Sequence, residues 1–491
     1  MAGRYLMCTR TMLIRTICIR KTVLSLICLL SATSVWSKVL VRWTQPSLPP
    51  AATMGIRELV ISWNSEALVR NAHGQGYHVY AEVPVAEAPA MVRATVKNEL
   101  AGIILNPADS QQNQIGEAVR ELRSAYPRLP VLVVNAKAKQ PQMKGPLVIK
   151  RDGVLQVSSP TAQPWIDSNL ALIRLDQALR PAQVPLYAFQ WDQSDPLQHE
   201  QGPDTADYLL AVAEAGAFHA DLILDLHPKL QTDLFENNVA AWTGLNQIKR
   251  YLAFSYHAGT DTVKPEANVA VVTDTYQNSY EPINLLGRHN LPFAVLKTSD
   301  LKPHSLDTFD LLLIFTTPDE RITAAIIDFA SRGGVAVLVD SHGSHPWQSA
   351  QPAHINEHAI SYASGKGRIL ELSEPVTDPE TFAQDLGRLI AKDKVLISLW
   401  NALTTVAVPY RGPGSEKKVV ELVNYAQEPL RVQVRVKGSF SSIIYETPER
   451  GCCESLTPVQ RKGFTEFVVP ALQIAGRVHL AVGNDLHKQG R

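Results

Sequence analysis

Cysteine is nearly missing from the body of this chain. Of five cysteines, Cys8, Cys18 and Cys28 stand near the N-terminus, and only the adjacent Cys452 and Cys453 follow them. A disulfide scaffold is therefore excluded, and the fold must be held by its core. Neighbouring cysteines rarely bridge, because the eight-membered ring strains the peptide between them. Two neighbours also cannot supply the four ligands of a cysteine zinc site. An excess of charge is missing too: 47 Lys and Arg balance 47 Asp and Glu, for a formal net charge of zero. That removes the electrostatic footprint of a nucleic-acid binder. No GxGxxG or P-loop occurs, so nucleotide binding is unsupported and no cofactor is expected. No HxxxH or HxH pair occurs in the first half of the chain. His342 and His345, in Ser-His-Gly-Ser-His, are read as solvent-exposed loop residues, so no metal is expected.

What is present is ordinary globular composition, with 45% hydrophobic and 19% charged residues over 491 positions. That length is too great for one core and fits two or three domains. Arg4, Arg10, Arg15, Arg20 and Lys21 precede the apolar run from Thr22 to Ala32. This order of charged and then apolar residues is that of a secretory signal, placed at 1–37, and predicts a periplasmic or extracellular mature protein. The run is about half of the roughly 20 residues that a bilayer crossing needs, so no stable membrane span is expected once the signal is cut.

From Val39 to about Tyr256, short apolar runs alternate with helical patterns. The candidate strands are Val39–Trp43, Glu58–Trp63, Tyr77–Glu82, Ala101–Leu105, Pro130–Asn135, Val154–Ser158, Leu186–Gln190 and Asp221–Leu226. Runs this continuous in apolarity read as parallel strands covered on both faces. Eight of them predict an α/β fold with a (β/α)8 TIM-type barrel over 38–262. A second α/β alternation over 263–392 predicts a flavodoxin-like doubly wound sheet, with a helix capped by Thr317 and stopped at Gly333-Gly334. After Arg411 the period drops to two, which predicts a small β-sandwich over 393–491.

A barrel, then a flavodoxin-like domain, then a small β-domain resembles the trimeric type of bacterial beta-galactosidase and related barrel glycosidases. In these the middle domain is similar to a class I glutamine amidotransferase, and the stretch from Asn268 to Phe315 resembles it in texture. The resemblance implies a carbohydrate substrate and a two-carboxylate mechanism. It departs at one place: those enzymes carry Asn-Glu after the fourth barrel strand, where this chain reads Asn106-Pro107, with Asp109 following. The acid/base is therefore not carried over. Amidotransferase chemistry needs a cysteine nucleophile, and none lies between Cys28 and Cys452, which leaves interaction or homo-oligomerisation as the expected role of the middle domain.

Barrel chemistry sits at the C-terminal ends of the strands. The candidate catalytic carboxylates there are Asp192, as nucleophile or general base, with Glu82 as its acid partner and Asp225 as substitute. An apolar setting beside Val83-Pro84 is expected to raise the Glu82 pKa. Trp43, Trp63 and Trp191 are candidates for stacking on sugar rings, and Asn106, Gln190 and His227 for hydrogen bonding. The bland alternatives are aromatics sealing the barrel top and carboxylates that cap helices or pair with arginine. Asp167 and Asp204 are read as helix caps. Two functions stay open: a secreted glycoside hydrolase, or a non-catalytic carbohydrate-binding or cell-surface protein on the same scaffold.

Overall fold

A computed structural model describes residues 38–483 except 94–98, 109–112, 145–147, 152–153, 158–164, 190, 192–195, 257–262, 278, 303, 340–342, 356–357, 413–415 and 427. Asp109, Gln190, Asp192, His342 and the whole proposed signal lie outside the described residues. No helix among those described is long and apolar enough to cross a membrane.

The first sheet is a TIM-type barrel of seven parallel strands. They are β1 (Val39–Arg42), β2 (Glu58–Ser62), β3 (His78–Pro84), β4 (Leu100–Asn106), β5 (Val131–Val133), β6 (Leu186–Phe189) and β7 (Asp221–Asp225), in the order β6-β7-β1-β2-β3-β4-β5. A parallel bridge between Asn135 and Tyr187 joins the two edges, where the Asn135 N–H donates to the Leu186 carbonyl at 2.7 Å. The expected sixth strand is not in the wall. Val154–Val157 pairs antiparallel with Val148–Arg151 as a separate hairpin. A strand this short, with three apolar residues in four, suits either setting, and Val148–Arg151 just before it in the chain is its local partner.

Period two along the strands sorts the barrel into an inside and an outside. Leu40, Val60, Tyr80, Ile104, Val134, Leu186, Ala188 and Ile223 form one buried cluster, contributed by every strand or its end, which fills the interior. Their neighbours Val39, Val41, Leu59, Ile61, Tyr187, Phe189, Leu222 and Leu224 belong to a different cluster, under the outer helices. Those helices are α1 (Glu66–Gly74), α3 (Leu170–Leu179), α4 (Thr205–Phe218), α5 (Pro228–Phe235) and α6 (Val239–Ser255), while α2 (Ile115–Ala125) covers a separate cluster on β3 to β5. Asp204 caps α4 through a reciprocal bond with Asp207, as expected. Asp167 is not a cap. It ends a short strand, Trp165–Asp167, and accepts from the Trp165 indole at 2.9 Å, while Ser168 accepts the Leu170 N–H.

The second sheet is built from β8 (Val269–Val272), β9 (Phe293–Leu296), β10 (Leu311–Ile314), β11 (Val335–Leu338) and β12 (Gly367–Leu372). They are parallel in the order β9-β8-β10-β11-β12, with Ala359–Ser364 and His354–Ile355 added antiparallel at one edge. Both faces are covered. Val269 and Val271 join the cluster that contains α3 and α7 (Tyr280–Arg288), while Ala270 and Val272 join the one under α8 (Glu320–Ser331). The α8 cap is Asp319, whose carboxylate accepts the Ile322 N–H at 2.7 Å, and not Thr317. Asp takes the role because its side chain reaches the first-turn N–H groups from an extended backbone. Gly333, at φ 109°, ends the segment in a conformation that favours glycine.

The C-terminal strands form two antiparallel sheets packed face to face. β13 (Thr405–Arg411), β14 (Lys417–Asn424), β16 (Ser442–Thr447), β17 (Gly451–Ser455) and β19 (Ala475–Ala481) lie in one, and β15 (Leu430–Lys437) and β18 (Phe464–Leu472) in the other. Val420, Leu422, Val432, Val434, Phe467 and Val478 fill the space between them. One buried carboxylate ties these layers to the barrel. Glu214 on α4 is fully buried and accepts from the Tyr425 hydroxyl at 2.5 Å and from Asn169 Nδ2 at 2.7 Å.

Candidate functional site

The alternation that fills the barrel also builds its mouth. Two residues beyond Leu40, Tyr80, Ile104 and Ile223 stand Arg42, Glu82, Asn106 and Asp225, the next inward layer at the C-terminal ends of β1, β3, β4 and β7. Arg42 sits between the carboxylates. Its Nη2 donates to Glu82 Oε1 at 2.6 Å and its Nε to Oε2 at 2.9 Å, a two-point clamp, while Nη1 donates to Asp225 Oδ2 at 2.7 Å. Asn106 Nδ2 donates to Glu82 Oε1 at 3.0 Å. Glu82 is thus held by three donors in a polar setting, in place of the apolar one expected from Val83-Pro84. Asp225 is left with one donor from this group.

The difference has an electrostatic consequence. Burial pushes the Asp225 carboxyl above its ordinary value, and the Arg42 cation opposes this without cancelling it. Burial disfavours the Arg42 cation, but the two carboxylates outweigh it and hold its pKa above the usual guanidinium value. The mouth therefore holds one arginine between two carboxyl groups, and burial raises the pKa of the Asp225 carboxyl above its ordinary value.

Arg42→Met removes the partner that the two carboxylates share. The side chains of Arg42, Glu82 and Asp225 are 16%, 15% and 18% exposed. The loss is therefore expected to be about 2 kcal/mol of stability, below the full penalty for a fully buried unpaired charge. The same variant should raise the Asp225 pKa further, because a lowering charge is gone. Denaturant unfolding at neutral pH and carboxyl titration by NMR check the two effects.

The tryptophans are arranged differently from expectation. Trp43 lies one residue past Arg42 and so points outward, as a one-residue step along a strand requires. It is 1% exposed and its indole donates to the Ser47 carbonyl at 3.1 Å, so it is core and not a sugar platform. Trp63 packs at the edge of the cluster around β3 to β5, and its indole donates to Glu87 Oε2 at 2.5 Å. Trp191 is half-buried beside the mouth and meets the His227 ring edge-on, with centroids 5.7 Å apart. His227 caps α5: its Nδ1 accepts the Lys229 N–H at 3.2 Å, while Nε2 lies 3.2 Å from the His199 carbonyl. Both ring nitrogens thus have main-chain partners, which leaves the ring little capacity for a ligand. The Gln231 side chain closes the same corner by accepting from the Thr44 N–H at 2.8 Å and donating to the Leu226 carbonyl at 2.6 Å.

Arg42 is the residue that the sequence reading missed. Counting strand ends picked its neighbour Trp43. Counting in steps of two from Leu40 would have found it, since the pattern Leu40-x-Arg42 places a charge on the interior parity.

No protein-family model matches the chain, and no curated protein matches it. Among solved structures it is similar to an alpha-L-fucosidase, isoenzyme 2, from Paenibacillus thiaminolyticus. The two share 12% identity over 91% of this chain and 100% of that one, with a TM-score of 0.56. An exo-beta-1,4-mannosidase from Opitutaceae bacterium strain TAV5 aligns with 10% identity over 73% of this chain and 97% of that chain, at a TM-score of 0.44. A beta-galactosidase from Bacillus circulans sp. alkalophilus aligns with 10% identity over 85% of this chain and 67% of that chain, at 0.41. At these identities the first of them shows a shared fold.

Proposed function

We propose that this chain is a glycosidase-like protein that binds carbohydrate at the barrel mouth, with Asp225 as proton donor. The observation that carries the reading is the Glu82–Arg42–Asp225 cluster at the strand ends, where a TIM-type barrel keeps its chemistry. The shared fold with a protein named as a fucosidase supports a glycoside as substrate class. Glu82 has its oxygens occupied by three donors from Arg42 and Asn106, whereas Asp225 takes one from Arg42, so the acid role expected of Glu82 is proposed for Asp225. Asp192 follows Trp191 directly, three residues past the end of β6, and is proposed as nucleophile or general base.

A second reading has its own observation. Arg42 engages both described carboxylates, and a neutralised pair suits a binding scaffold as well as a catalyst. A panel of aryl glycosides and oligosaccharides separates the two. Hydrolysis by the wild type supports the enzyme. Saturable quenching of tryptophan emission without turnover supports the binding scaffold, and Trp191→Ala should then weaken that response several-fold, since an aromatic contact is worth roughly 1 kcal/mol. Neither signal across the panel overturns both.

The rest of the architecture completes the proposal. The second sheet follows the flavodoxin-like strand order, second-first-third-fourth-fifth, and is read as an amidotransferase-like domain over 263–392 without that chemistry. Interaction or homo-oligomerisation remains its proposed role. Segments 38–262 and 393–491 are read as the barrel and sandwich domains, and 1–37 as a signal for export. Finding the full-length chain in the cytosol of its host would reject export.

A further inference from the structure

We propose that the outer face of the four-stranded sandwich sheet is a second glycan site, selective for oligosaccharides that carry carboxylate groups. It stands on the sandwich's own residues, so it holds whether or not the barrel mouth acts on sugar. The sheet runs Ile397–Trp400, β15, β18 and Val459–Arg461, all antiparallel. Period two gives it an inner and an outer side. Ile397, Val432, Val434, Phe467 and Val469 face the core shared with the other sheet, and Leu399 packs against it. Their neighbours face away, and register lines these up in two rows. One row is Trp400, Gln433 and Val468; the next is Ser398, Arg435, Glu466 and Val459.

The side chains on this face match the surface of a sugar. Trp400 ends an edge strand and is 41% exposed, where a tryptophan serving the core is mostly buried, as Trp43 is. Its flat apolar ring is free to take the C–H face of a pyranose. Gln433, directly beside it, offers an amide that both donates and accepts, as paired hydroxyls require. A groove of about 520 Å3 continues from there, lined by Arg431, Gln433, Val459, Arg461, Glu466 and Val468 among others. That volume lies within the range of small-ligand sites, about 300–1,000 Å3.

Charge decides between neutral and acidic sugars. The groove also includes Glu454, and its two carboxylates are already paired. Arg461 Nε lies 3.2 Å from Glu466 Oε2, and Arg450 Nη1 lies 3.2 Å from Glu454 Oε2. Arg431 and Arg435 stand two positions either side of Gln433 on β15, and among the described residues neither has an ion-pair partner. Arg435 lies over Phe464, its guanidinium carbon 3.8 Å from the ring centroid, and its Nε is buried without a hydrogen-bond partner. On a chain of zero formal net charge, this face therefore keeps an unbalanced positive charge. A guanidinium takes a carboxylate through two parallel N–H···O bonds, so the unpaired arginines suit an acidic sugar held on the indole. A membrane surface is less well matched, because the face offers one protruding aromatic and two carboxylates in place of a broad apolar area.

The test titrates the full chain by calorimetry with oligosaccharides of galacturonate, of glucuronate, and of mixed mannuronate and guluronate, each beside its methyl-esterified counterpart. At least one acidic series is expected to bind, with its ester about tenfold weaker and with affinity falling as salt is added. Trp400→Ala should weaken binding several-fold. Arg431→Gln should weaken the acidic form about tenfold and leave the ester nearly unchanged. Both side chains are exposed, so neither change should disturb folding. Failure of every acidic series to bind overturns the site, and an ester that binds as tightly as the acid overturns its selectivity. Binding that Trp191→Ala abolishes and Trp400→Ala leaves intact places the glycan at the barrel mouth and also overturns it. Adsorption to phosphatidylglycerol vesicles without any glycan binding assigns the face to a membrane instead.

Discussion

Asp225→Asn is expected to slow hydrolysis of glycosides with poor leaving groups by roughly 100- to 10,000-fold, the usual range for loss of a positioned general acid. The reasoning starts from burial. The carboxyl stands in a partly closed mouth that pushes its pKa above the ordinary value, so it keeps a proton to higher pH than an exposed aspartate. A proton donor matters in proportion to the basicity of the oxygen it protonates. Aryl glycosides with acidic phenol leaving groups should therefore retain most of their rate in the variant. Asp192→Asn, which removes the proposed nucleophile or base, should lower both substrate classes together by orders of magnitude. The pH profile gives a second reading. The acid must be protonated, so kcat/KM should fall as pH rises through the Asp225 pKa, and that limb should vanish in Asp225→Asn. An equal loss across all leaving groups would remove Asp225 as the acid. An unchanged rate would favour the binding scaffold.

How far the sequence carried depended on which signal each part of the fold leaves in it. Parallel strands buried on both faces are legible because they read as unbroken apolar runs, and β1 to β7 all stand where such runs occur. The hairpin at Val154–Val157 was indistinguishable from them, since composition does not encode a strand's partner. The sandwich strands were legible from period two, and Asp204 as a helix cap from its place after Gly202-Pro203, although its reciprocal partner Asp207 was not. The mouth was legible as a set of strand ends but not as an arrangement. Glu82 and Asp225 could be named, yet only their common partner shows that they form one cluster, and that partner is separated from each by 40 and 183 positions. The tryptophans misled for a related reason. Large aromatics at strand ends are conspicuous, but parity decides the side, and Trp43 follows the inward residue by one. Long-range register, which puts Gln433 beside Trp400, leaves no mark in the local sequence.

Between about pH 4.5 and pH 7 the protein is expected to lose roughly 3 kcal/mol of stability through one residue, Glu214. This carboxyl is completely buried where the barrel wall, α3 and the sandwich meet, and burial raises its pKa from 4.5 to about 7. Bonds from Tyr425 and Asn169 act in the opposite direction and do not restore the ordinary value. The sign follows from proton counting. Between the two pKa values the folded chain holds a proton that the unfolded chain has lost, so stability falls as pH rises through that window. Below it both states are protonated and the full stability is present; above it both are ionised and the loss is constant. Glu214→Gln keeps the shape and cannot titrate. Its amide oxygen can stay with the Tyr425 hydroxyl and the Asn169 N–H, which leaves its NH2 facing Asn169 Nδ2, a constant penalty of about 1 kcal/mol. The readout is therefore the slope and not the offset. The difference in unfolding free energy between wild type and variant should change by about 3 kcal/mol across the window, favouring the variant at the upper end. Carboxylates common to both proteins cancel in that difference. A difference that stays flat from pH 4.5 to pH 7 would show that Glu214 is already ionised in the folded chain, with its hydrogen bonds compensating for burial.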